Sequence, residues 1–169
     1  MKLSKNLLIL IIALFSFSLA GCKDDEDTNY AKDIEGTYKG DLNLGGQLPV
    51  GTNVEIKIER KDNSHVTLTL NENLTNLPPL FEGGGAIEQL PLDVSCVCIV
   101  TYSVDPSYLG TTGYYIGGET MVTLPIPGLS SPVETSVGGI ITSEYDATIN
   151  IVVDIMGTPL TVIFEGDKQ

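Results

Sequence analysis

Three cysteines, one histidine and seven tyrosines carry most of the latent chemistry of this 169-residue chain. Cys96 and Cys98 flank Val97. On a strand, residues i and i+2 share a face. Two steps of about 3.3 Å would put their α-carbons about 6.6 Å apart, at the upper end of disulfide geometry. Two readings stay open: buried thiols acting as small hydrophobes, or a disulfide that needs a bend or bulge. His65 follows Asn63 and Ser64 and reads as a turn or strand-end residue. A Ser-His-Asp triad would have to use it, and no nucleophile-elbow pattern accompanies it. His65, Cys96 and Cys98 are too few to build a His/Cys metal site unaided. No acidic loop has calcium-loop spacing. Gly83-Gly84-Gly85 precedes no helix and reads as a loop. The chain is therefore expected to be non-enzymatic, and nothing in it calls for a cofactor or a metal. Tyr102, Tyr108, Tyr114 and Tyr115 gather around Asp105-Pro106 and Gly110–Gly113. Such aromatics either contact a ligand or partner, by stacking on a sugar or anchoring a protein, or pack at the end of a barrel.

Cys22 stands apart, behind an apolar run. Lys2 and Lys5 form a short cationic start, Leu7 to Leu14 is unbroken apolar sequence, and Phe15, Phe17 and Leu19 extend it. The run is shorter than the roughly 20 residues of a spanning helix. It reads as a signal peptide over residues 1–21. Its last residues, Leu19-Ala20-Gly21-Cys22, resemble the lipobox of bacterial lipoproteins. That resemblance implies a diacylglyceryl group on the Cys22 thiol, cleavage before Cys22 and acylation of the new amino terminus. Acyl chains contribute about 0.8 kcal/mol per buried methylene, so two or three anchor a small domain firmly. Lys23, Asp24, Asp25, Glu26 and Asp27 follow directly. They resemble the lipoprotein export signal of Bacteroides-type bacteria, which implies an outer-membrane, cell-surface location. A charge run also serves as a solvated tether, here residues 22–33.

Composition narrows the partners. The precursor carries nine cations and 22 acids, a net charge of −13, and losing Lys2 and Lys5 takes it to −15. That argues against a nucleic-acid binder, which needs clustered Lys and Arg, and against docking on anionic head groups. The sequence after residue 33 is enough for one domain with its own core.

Strand signals fill that domain, residues 34–169. Val54-Glu55-Ile56-Lys57-Ile58-Glu59 and His65 to Asn71 alternate apolar and polar residues around the turn residues Arg60–Ser64, a hairpin pattern. Ala147, Ile149, Ile151, Val153 and Ile155 fall on one face. Leu160, Val162 and Phe164 continue that face after the Met156-Gly157 turn. Thr37–Leu44, Ser95–Tyr102, Tyr114–Glu119, Met121–Ile126 and Val137–Thr142 complete eight or nine strands. The expected class is all-β, an antiparallel up-and-down barrel of about eight strands, with a β-sandwich as the alternative. Leu77–Leu80 and Pro125–Pro132 read as breaks.

Ile34-Glu35-Gly36-Thr37-Tyr38-Lys39-Gly40 opens the domain and Val162-Ile163-Phe164-Glu165-Gly166 closes it. With the strands between, this resembles the calycin-like β-barrel lipoproteins of Bacteroides-type bacteria, over roughly Ile34 to Gly166. The resemblance implies a lipocalin- and avidin-like barrel. Lipocalins carry Gly-X-Trp on their first strand, and Tyr38 holds the tryptophan position here. The expected function is a surface-anchored, non-enzymatic binding module for a small apolar molecule, a glycan or a protein. The alternative is a structural or inhibitory protein whose filled barrel presents loops to a protein partner. A small barrel can do either, because its interior holds side chains or one small ligand.

Overall fold

The computed structural model describes residues 28–79, 87–104, 112–126, 128–129 and 132–169. Cys22, the run Lys23–Asp27, Tyr108 and Gly83–Gly85 lie outside the described residues. One short helix, α1 (Tyr30–Ile34), precedes eight strands: β1 (Gly36–Leu44), β2 (Leu48–Arg60), β3 (His65–Leu77), β4 (Ile87–Ser103), β5 (Gly113–Val122), β6 (Val133–Thr142), β7 (Asp146–Ile155) and β8 (Thr158–Lys168). Each strand pairs antiparallel with the next, and β8 pairs back onto β1. The result is a closed up-and-down barrel and not a sandwich.

Period-2 alternation sets which face is which. On β4, Leu90, Leu92, Val94, Cys96, Cys98 and Val100 are buried, while Pro91, Asp93, Ser95, Val97 and Ile99 between them are exposed. On β7 and β8 the expected inward set, Ala147 to Ile155 with Leu160, Val162 and Phe164, is buried throughout. Side chains from all eight strands join one cluster.

Closure depends on two glycines. The two sequence motifs that open and close the domain lie side by side: Gly40 faces Gly166, Leu42 faces Phe164 and Leu44 faces Val162. A Cβ on Gly40 would sit 2.0 Å from the Glu165 carbonyl oxygen, and one on Gly166 would sit 2.3 Å from that of Lys39. Only glycine permits this approach. Beside this seam, Tyr38 is fully buried and its hydroxyl donates to the Ile34 carbonyl at 2.9 Å. The first strand is thereby tied to the end of α1.

Several boundaries differ from expectation: β2 starts at Leu48, β3 runs to Leu77 and β6 starts at Val133. The two strands expected over Tyr114–Glu119 and Met121–Ile126 are a single strand, β5, which ends at Val122. Leu124 and Ile126 leave the ladder but stay buried; their alternation reflects burial without pairing. β4 begins well before Ser95, at Ile87, and includes Pro91. It pairs with β3 over Ile87–Ile99, and its pairing with β5 is confined to Ile99–Ser103. Pro91 therefore lies where β4 is paired on one side, the place a strand tolerates proline. Finally, residues 30–33, read as tether, fold into α1, and Ala31 is fully buried against the barrel end.

Stability measurements on substituted proteins check this layout. Ile151→Ala is expected to cost about 2–5 kcal/mol, as buried large-to-small changes do. Asn150→Ala, on the outer face, is expected to cost less than about 1 kcal/mol. Gly40→Ala should cost more than Gly117→Ala, whose Cβ would meet nothing within 4 Å. Equal costs for the two glycines would contradict the closure described.

Candidate functional site: the barrel end and the outer wall

The barrel end that carries α1 also carries both chain ends of the domain, the 61–64 turn and the start of β5. It collects tyrosines. Tyr102 on β4 faces Tyr114 on β5, with ring centroids 4.8 Å apart, and Tyr30 of α1 stacks on Tyr102 at 6.0 Å. The Tyr114 hydroxyl donates to Asp33 at 3.0 Å. Burial, then this acceptor carboxylate, push the Tyr114 phenol up to about 12. Burial likewise pushes Tyr38 well above the ordinary tyrosine range. Tyr102 and Tyr114 thus pack α1 onto the barrel. Tyr115, one residue on, takes the opposite face of β5. The tyrosine group expected from sequence is split by strand alternation.

Cys96 and Cys98 are free, buried thiols on the inner face of β4. Burial raises both thiols, Cys98 to about 12. They are packing residues in this structure, not a bridge.

His65, Ser64 and Asp62 do come together, yet not as a triad. The His65 Nδ1 lies 2.9 Å from Asp62 Oδ1 and 3.2 Å from Ser64 Oγ. Both partners crowd the same ring nitrogen, whereas a nucleophilic relay uses the two nitrogens separately. The backbone N–H of Ser64, and then His65, hold the Asp62 carboxyl down at about 2. The trio closes the β2–β3 turn. Among the described residues, no group of three or more His, Cys, Asp or Glu is placed to hold a metal ion.

The outer wall carries what the sequence reading missed. A shallow depression of about 660 Å³ crosses β5, β6 and β7, lined by Glu119, Ser136, Gly138, Asn150 and Val152 among others. Its floor is low at Gly138, whose cross-strand partner Gly117 also lacks a side chain. A Cβ at either would reach into open space, the nearest atom being the Ile116 oxygen 4.0 Å from that of Gly138. Val97, Ile99 and Met121 stand exposed on the same wall, at 43, 51 and 56%.

Charge divides the wall. No lysine or arginine occurs between Lys61 and Lys168. The β1–β2 side pairs its charges, Lys39 with Glu55 at 2.7 Å and Lys57 with Glu59 at 2.6 Å. On the β5–β7 side, Glu119, Glu134 and Asp154 face outward without a cation on their strands. The visible sign was the pair of Gly-Gly steps, Gly117-Gly118 and Gly138-Gly139. Only the register brought them together.

Compared with known proteins, the chain matches no family model, no curated sequence and no solved structure. Strand number, order and closure are compatible with a calycin-like barrel.

Two measurements check these assignments. A Cys22→Ser protein in its native state should resist thiol alkylation at neutral pH and gain two adducts on denaturation, on Cys96 and Cys98. No adduct after denaturation, unless a reductant is added, would mean a disulfide. In an alkaline titration, unfolded tyrosine loses its proton near 10 while folded Tyr114 keeps it to about 12. The contribution of Tyr114 is thus full below about pH 10 and lost as pH rises through 12. Tyr114→Phe should cost about 0.5–1.5 kcal/mol at neutral pH and flatten the alkaline fall in stability.

Proposed function

We propose that this protein is a lipid-anchored, non-enzymatic barrel of the outer membrane, related to the calycin-like lipoproteins of Bacteroides-type bacteria, that presents its exterior to a protein partner. One observation carries the choice of exterior over interior. Inward side chains from every strand, Tyr38, Leu68, Leu92, Ile141, Ile151 and Phe164 among them, are buried in a single apolar cluster. A carrier barrel needs an open interior with a few convergent polar groups. The only buried polar residue on the inner faces, among those described, is Thr135, and its hydroxyl donates to its own strand at the Val133 carbonyl. The apolar interior is also the reverse of a membrane-spanning barrel, which is polar inside and apolar outside.

The lipidated Cys22 and the acids behind it supply the address. At no more than about 3.5 Å per residue, the chain from Cys22 to Thr28 spans at most about 20 Å. It joins the barrel through α1, so the α1 end is held near the membrane. The Met156-Gly157 turn, at the opposite end, points away from it, and so does the far end of the outer wall.

Cell fractionation and native mass spectrometry test this. Cys22→Ala should move the protein out of the membrane fraction. Alanine at Asp24, Asp25 and Glu26 should leave it anchored but shielded from protease added to whole cells; equal protease access would refute surface export by these acids. The mature protein purified from cells should carry only its acyl groups. A stoichiometric small molecule that is lost in an interior variant such as Val153→Phe would favour the carrier reading instead.

A further inference from the structure

We propose that the depression over β5–β7 is a docking groove for a cationic, amphipathic peptide segment of a partner protein. The inference rests on the reading of an exterior-presenting barrel and names which face is used. Three observations converge there. The groove has a floor without a side chain at Gly138, and its cross-strand partner Gly117 beside it adds none, so a partner's chain can approach the sheet backbone. Apolar surface lines or adjoins it, from Val152 in the groove to exposed Ile99 and Met121 beside it. Carboxylates on three successive strands, Glu119, Glu134 and Asp154, face outward on this wall.

Complementarity then selects the occupant. Like charges placed opposite one another are costly, and opposite ones steer association. This wall has no cation between Lys61 and Lys168 to neutralise its acids. An anionic ligand is repelled. A second copy of the same wall is repelled as well, and Lys39 and Lys57 are already paired on their own side. A segment with Lys or Arg on one face and apolar side chains on the other satisfies both features of the groove. Its ammonium groups meet the acids while its alkyl stems lie along Val152 and Ile99.

Fluorescence anisotropy with a labelled short peptide of alternating lysine and leucine tests the groove. The mature lipoprotein is held in discs of zwitterionic lipid, and empty discs serve as the control. Saturable binding is expected, weakening as salt rises. The peptide with glutamate in place of lysine should not bind. Gly138→Leu, which fills the groove from a position with open space above it, should weaken binding by at least about ten-fold. Glu119→Gln with Glu134→Gln should do likewise, while Glu55→Gln on the paired side should not. Melting temperatures of the variants separate loss of the groove from loss of the fold. Undiminished binding by a folded Gly138→Leu protein would reduce the interaction to nonspecific attraction by net charge and overturn the proposal. So would absent binding, or a self-association that occupies the wall. None of these results bears on the acyl anchor or the filled interior, which fractionation and mass spectrometry read separately.

Discussion

The approach of β1 to β8 is the constraint on which the rest of this molecule depends. An eight-stranded sheet with free edges would expose two rows of unpaired backbone donors and acceptors. Here those edges meet, over Tyr38–Leu44 and Val162–Lys168. They can meet because Gly40 and Gly166 leave no Cβ in the contact. Closure makes a wall with one inside, and the inside must then be filled or hollow. Apolar residues at every second position fill it. Tyr38 completes the seam: its ring lies in the core and its hydroxyl fixes the end of α1. The helix is thus part of the barrel's stopper, held further by Tyr30, Tyr102 and Tyr114.

With the interior filled, the exterior is the surface left to meet other molecules. The thiols of Cys96 and Cys98 and the inner tyrosines serve packing, and His65 serves a turn. What remains unspent is the exterior, and it is not uniform. On one side acids and lysines neutralise each other. On the other, acids alternate with glycine, threonine and exposed aliphatic residues. Ion pairs at a surface contribute little to stability, so this division is better understood through what it admits and repels than through what it stabilises.

The legibility of these features in sequence differs residue by residue. Strand alternation identified the inward faces of β7 and β8 correctly because the period of 2 is a local property of an extended chain. The same rule misread Thr123–Ile126, where Leu124 and Ile126 alternate into the core without a neighbouring strand. It stopped β4 short at Ser95, although burial alternates from Leu90 onward through Pro91. The four nearby tyrosines looked like one group. Alternation puts Tyr114 and Tyr115 on opposite faces, and the partner of Tyr102 and Tyr114 proved to be Tyr30, from the segment that charge composition had assigned to the tether. The groove floor was unreadable for a plainer reason. Gly117 and Gly138 are neighbours only through the β5–β6 register.

The sequence by itself determined the class of fold and its inner surface. Both follow from the order of apolar and polar residues along a strand, and each position is decided by its immediate neighbours. It also held the cation-free stretch from Lys61 to Lys168. Tertiary structure alone decided that the sheet closes on itself, since closure depends on two glycines far apart in the chain meeting at one seam. It decided, too, that Cys96 and Cys98 stay apart as buried thiols, and that the acids of three strands share one wall with a glycine floor. Apart from the two thiols, neighbours on one strand, each of these is a relation between residues distant in sequence. Only strand register and barrel closure fix the distances between them.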